Sequence, residues 1–165
     1  MTKLHHQHVI KEALATLPFF SGWTDLELKA IRPLCRVLAG EGGDYLILEG
    51  SPVPDIFFLL AGKVDVFKKK SKDGKNVWLA SIAKDFVFGE VSFLDHNPAS
   101  ATVRAATAFQ ALTINQKALH QLLDHRPRLG YKVIQALART TSLHLRQADA
   151  MLTGFLGTAY KPTAT

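Results

Sequence analysis

The chain has one cysteine, Cys35, in 165 residues, so no internal disulfide can form and a reducing cytoplasm is the expected setting. Long apolar runs are missing too. The densest, Ile56 to Ala61, falls far short of the roughly 20 residues that cross a bilayer, and no membrane role is expected. Around His5, His6, His8 and Glu12 there is no apolar segment of the secretory-signal kind. Charge is sparse at 21% against 47% hydrophobic residues, which argues against disorder and for one globular domain with a real core. The net charge of +6 is scattered along the chain and favours an anionic partner only weakly. Nor is there a catalytic or metal-binding pattern. His5, His6 and His8 fall on an N-terminal helix, while His96, His120, His125 and His144 stand isolated from one another. No enzyme activity, metal or cofactor is expected.

What is present reads in three textures. Val9, Ile10, Ala13, Leu14 and Leu17 share one helical face that Pro18 stops. Thr24 followed by Glu27 is a capping box opening a second short helix, which Pro33 ends. From residue 37 to 114 the texture changes to short apolar runs separated by turn residues: Tyr45 to Leu48, Ile56 to Leu60, Val64 and Val66, and Trp78 to Phe88. Asp73-Gly74 is a hairpin signal between two of them. Lys68, Lys69, Lys70, Lys72 and Lys75 surround that hairpin, either blunting an exposed edge or offering a surface to an acidic partner. Asn115 caps a helix that Pro127 interrupts, and a longer helix follows from about Arg128 toward Leu152. On it Ile134, Leu137, Thr141, His144, Ala148 and Met151 make a heptad-like stripe, which would serve a two-fold partner or the helix's own domain equally. The expected architecture is mainly β with flanking helices: a jelly-roll β-barrel over 37–114, helices over 4–34 and 115–155, one domain over 1–156, and a flexible tail over 157–165.

The most informative stretch runs from Phe88 to Ala105, FGEVSFLDHNPASATVRA. A strand ends at Phe88-Gly89-Glu90, Val91 to Leu94 suits one helical turn, Asp95-His96-Asn97-Pro98 is turn chemistry, and Ala101 onward is extended again. Such a strand, glycine, helix start and tight return gather backbone N–H groups into a nest that suits phosphate. A plain strand–turn–strand connection would use the same residues.

The stretch resembles the phosphate-binding cassette of the cyclic nucleotide-binding domain family, roughly F-G-E-[LIV]-[AS]-[LF], a spacer, then P-R-[ST]-A-[ST]-V-x-A. Phe88-Gly89-Glu90-Val91-Ser92-Phe93 matches the first part, and Pro98, Ser100 to Val103 and Ala105 match the second. Ala99 stands where the family has the arginine that grips the cyclic phosphate. The likeness extends to Pro18-Phe19-Phe20 and the early strands, covering about Leu14 to Leu152.

The resemblance implies a ligand site at Phe88, Gly89, Glu90, Val91, Ser92, Ala99, Ser100 and Ala101, with His144 on the lid helix. Glu90 would accept a hydrogen bond from the ribose 2′-hydroxyl, unless it merely braces the cassette. The implied ligand is cyclic AMP or cyclic GMP, bound weakly because Ala99 supplies no cation. The implied partner is a second copy docked through the C-terminal helix. The family's transcription regulators read DNA through a winged helix-turn-helix that would follow this helix, so the chain alone is not expected to read DNA. Two readings stay open: an atypical nucleotide sensor, or a degenerate domain that acts through protein contacts.

Overall fold

The computed structural model describes residues 3–70 and 75–159. Two helices lead in. Helix α1 (Lys3–Thr16) buries Ala13 and Leu14, and Leu17 follows them into the core before a 3-10 turn at Pro18–Phe20. Helix α2 (Asp25–Ile31) begins at the expected capping box: Thr24 Oγ1 accepts from the Glu27 N–H, and Glu27 Oε2 accepts from the Thr24 N–H. Pro33 sits in the 3-10 turn Arg32–Leu34 that ends it.

Eight strands follow: β1 (Cys35–Gly40), β2 (Tyr45–Ile47), β3 (Asp55–Ala61), β4 (Val64–Lys69), β5 (Asn76–Ile82), β6 (Val87–Phe88), β7 (Thr102–Ala105) and β8 (Phe109–Asn115). They form two four-stranded sheets, ordered β1-β8-β3-β6 and β2-β7-β4-β5, with every pairing antiparallel. This is the expected jelly-roll arrangement, as two facing sheets. The Asp73-Gly74 turn expected between β4 and β5 lies outside the described residues.

One expectation is corrected here. Trp78 to Phe88 is not a single strand but two, β5 and β6, which belong to different sheets. The chain crosses between sheets around Asp85, whose φ of 70° is left-handed, and Phe86.

The long apolar run Ile56 to Leu60 reflects a strand covered on both faces. Successive side chains of a strand point to opposite sides. Ile56 and Phe58 join a cluster with Leu14, Phe20, Leu112 and Leu137 under the helices. Phe57 and Leu59 join a second cluster, with Val64, Val103 and Ala111, between the two sheets. Each such side chain contributes about 1.5–3 kcal/mol when fully buried, and this doubly covered sheet anchors the roll.

Helix α3 (Glu90–Asp95) interrupts the roll, and α4 (Gln116–Asp124) and α5 (Pro127–Ala159) close the chain. Asn115 caps α4 by accepting from the Ala118 N–H at 3.1 Å. Helix α5 continues past residue 155 to Ala159, through the start of the expected tail; residues 160–165 lie outside the described residues.

The structure also divides the α5 stripe. Leu137 is 0% exposed in the chain's own core, and His144 turns toward the roll. The outward line is a different one: Tyr131, Ile134, Ala138, Leu145 and Leu152, spaced three, four, seven and seven residues apart. The side chain of Met151 lies outside the described residues. No helix among the described residues is long and apolar enough to cross a membrane.

Candidate functional site

The cassette is held in shape by backbone chemistry. Gly89 has φ +84°, and a Cβ there would lie 2.7 Å from the Asp55 carbonyl oxygen. Only glycine meets both conditions without strain. Gln116 Nε2 donates to the Gly89 carbonyl at 3.0 Å and ties the end of β6 to α4. At the far end Asp95 Oδ1 accepts from the Asn97 N–H at 2.9 Å, and His96 takes a left-handed turn with φ 59°. Ala99 is pinned on both sides: its N–H donates to the Ser51 carbonyl at 2.9 Å, and its carbonyl accepts from the Gly50 N–H at 2.8 Å. Strand β7 then begins at Thr102, whose hydroxyl accepts from the Glu49 N–H at 3.0 Å.

Between this cassette, the inner face of the second sheet and α5 lies a cavity of about 330 Å³. All nine residues singled out from the sequence line it: Phe88, Gly89, Glu90, Val91, Ser92, Ala99, Ser100, Ala101 and His144. The remaining wall is mostly apolar, with Ile47, Val53, Val66, Leu79, Ile82, Phe86 and Val103, and Gln147 and Ala148 of α5 reach its edge.

Glu90 is only 4% exposed, and Oε1 lies 3.0 Å from His144 Nδ1. The His144 ring stacks on Phe86, with centroids 4.0 Å apart and planes at 4°. This contact latches α5 onto the roll. His144 therefore faces its own domain, away from the exposed line on α5. Phe86 escaped the sequence reading because it lay within the apparent long strand; the two-residue turn before it was the missed signal.

Among the described residues the cavity has no arginine or lysine in its lining, and Glu90 is its one acidic residue. The nearby arginines point elsewhere. Arg104 lies on β7 between inward-facing Val103 and Ala105, and its guanidinium sits 5.1 Å from the Phe67 ring centroid. Arg126 and Arg128 line a separate hollow at the α4–α5 corner, and Arg139 a groove beside Trp23 and Lys132. Among the described residues no group of three or more His, Cys, Asp and Glu side chains converges to hold a metal.

Comparison with known proteins agrees with this geometry. The family model of the cyclic nucleotide-binding domain matches residues 40–126. A CRP-like cAMP-activated global transcriptional regulator of Mycobacterium tuberculosis is 24% identical over 128 residues, covering 78% of this chain and 57% of the regulator. A putative potassium channel protein of Rhodopseudomonas palustris is 26% identical over 141 residues, 86% of this chain and 34% of the channel. The chain thus spans little more than half, or less, of these relatives. Among solved structures, a cyclic nucleotide-binding domain from Methylobacillus flagellatus superposes with a TM-score of 0.79 at 23% identity, covering 96% of this chain and 88% of that one. The regulatory subunit of a cAMP-independent protein kinase A from Trypanosoma brucei, as a triple variant bound to cAMP, gives 0.71 at 26% identity, over 84% of this chain and 48% of the subunit.

Proposed function

Because this chain belongs to the cyclic nucleotide-binding domain family, we propose that it is a non-enzymatic regulatory module that binds a cyclic nucleotide weakly. The observation that carries the proposal is the cavity lining: Glu90, the cassette residues and Ala99 share one cavity, and Ala99 supplies no cation. A hydrogen bond to a charged group contributes about 1.5–3 kcal/mol, so the missing arginine costs roughly 10- to 150-fold in affinity. Binding in the micromolar range or poorer follows. Glu90 Oε1 meets His144 while its second oxygen can accept from a ligand, so a bound ligand and the latch on α5 would share one carboxylate. That shared carboxylate is how occupancy would reach the helix.

The Trypanosoma relative supports the reading. It is the regulatory subunit of a cAMP-independent kinase, and one of the three changes in its cAMP-bound variant introduces an arginine. The Mycobacterium regulator is cAMP-activated, and the present chain shares the family with it.

A second reading, action through protein contacts with no nucleotide, is favoured by the outward line Tyr131, Ile134, Ala138, Leu145 and Leu152 on α5. Its spacing suits a two-fold mate. We place the module in the cytoplasm, where its lone buried thiol stays reduced.

Calorimetric titration with cyclic AMP and cyclic GMP tests the nucleotide reading. Ala99→Arg should tighten binding at least about tenfold, the size of one charge-assisted contact. Unchanged affinity would show that the cassette does not receive the phosphate.

A further inference from the structure

In the lysine run that begins on β4, Lys68 reaches the cassette. Strand β4 places Val64 and Val66 on the inner face of its sheet: Val64 is in the core between the sheets and Val66 lines the cavity. Lys68 is the next residue of that parity. The register of β4 with β7 runs to Phe67 opposite Thr102, and continued one step it would set Lys68 opposite Ala101. Ala101 lines the cavity. Lys68 is thus the inward-facing end of the strand, at the mouth of the site.

Its side chain is already on the cassette. The ammonium donates to the carbonyl of Ser100 and lies 3.4 Å from Glu49 Oε1. Glu49 is itself fixed, since Oε2 accepts from the Lys69 N–H at 2.8 Å and its own N–H donates to Thr102. The Lys69 N–H first, and then the Lys68 ammonium, hold its carboxyl below the usual range. Lys68 remains 48% exposed, which leaves a four-carbon stem free to swing. Lys69, next along the strand, has the opposite parity and meets Glu49 through its backbone N–H.

From this arrangement we infer that Lys68, entering from β4, is the cation that meets the cyclic phosphate of the ligand in place of the missing cassette arginine. The inference rests on the nucleotide reading given above. An ammonium offers a compact point charge and lacks the planar two-pronged fork of a guanidinium, and here it is shared with Glu49. Both features agree with weak binding. They also make the site sensitive to salt, because the pair is half-exposed.

The test uses the full chain and cyclic AMP, titrated calorimetrically into wild type, Lys68→Met, Lys68→Arg, Ala99→Arg and the Ala99→Arg/Lys68→Met pair. Lys68→Met should weaken binding about tenfold and Lys68→Arg should keep it, because one charge-assisted contact is removed or retained. In the Ala99→Arg background the loss should shrink, since the two cations serve the same phosphate. Melting temperatures of the Lys68 variants should match wild type, as expected for a half-exposed residue. If Lys68→Met binds as wild type does, or if Ala99→Arg binds and wild type does not, Lys68 is no stand-in and the inference fails while the site survives. If neither wild type nor Ala99→Arg binds at millimolar nucleotide, the nucleotide reading itself fails and takes the inference with it.

Discussion

Helix α5 carries two lines of apolar residues, and a pair of matched substitutions separates them. Leu137 is 0% exposed, packed with Phe20, Phe58 and Val133. Truncating a buried leucine costs about 2–5 kcal/mol, and placing a carboxylate in that space adds several more. A domain of this size has only about 5–15 kcal/mol in total, so Leu137→Asp should not fold. Leu145, at 62% exposure, sits on the outward line. A surface change of that kind alters monomer stability by no more than about 0.5 kcal/mol. Across a two-fold axis, however, Leu145→Asp would set two carboxylates near one another in the seam. The assay pairs light scattering for mass with a thermal melt. Wild type should scatter as a dimer, Leu145→Asp as a folded monomer, and Leu137→Asp should lack a cooperative transition. A wild type that stays monomeric at high concentration, or a Leu145→Asp variant that keeps dimer mass, refutes the outward seam. A well-folded Leu137→Asp refutes the packing.

Two further predictions concern the frame. Gly89→Ala should destabilise the fold by about 1–3 kcal/mol in a urea titration, from left-handed strain and the clash with the Asp55 carbonyl; an unchanged midpoint would mean that the cassette can shift freely. Lys132 Nζ, 2.7 Å from Glu27 Oε2, and then the Thr24 N–H hold the Glu27 carboxyl below its ordinary value of 4.5. A depressed carboxylate stabilises above its unfolded value, and that stabilisation is lost as pH falls through the lower folded value. Wild type should therefore lose more melting temperature than Glu27→Gln between pH 6 and pH 3 (roughly the window of a carboxylate held below 4.5), and parallel curves would contradict the tie between α2 and α5.

Much of the fold was legible because its signals are local. The Thr24–Glu27 capping box, Asn115 at the start of α4 and the glycine of the cassette each act through their own backbone. The cassette residues were legible for the same reason, since Phe88 to Ala101 is one short stretch. What stayed hidden depends on long-range packing. The break between β5 and β6 follows from a change of sheet, and the turn at Lys84-Asp85 marks the break without showing that the two strands join different sheets. Leu137 and Leu145 are both leucines on one helix, and only the roll beneath them decides which is buried. His144 reaches Glu90 in the cavity, and Lys68 the Ser100 carbonyl of the cassette, from positions 54 and 32 residues away in the chain. The parity of Val64, Val66 and Lys68 was in the sequence, but it acquires meaning only when β4 is seen beside β7.

The most direct measurement of the central claim is the affinity of the unaltered chain for cyclic AMP by calorimetry. A cavity that keeps Glu90 and the cassette amides but has no cation in its lining should give a dissociation constant in the micromolar range or weaker, about 8 kcal/mol of binding or less. A nanomolar constant would contradict the account, because it would mean that the phosphate is gripped as firmly without the arginine as with it.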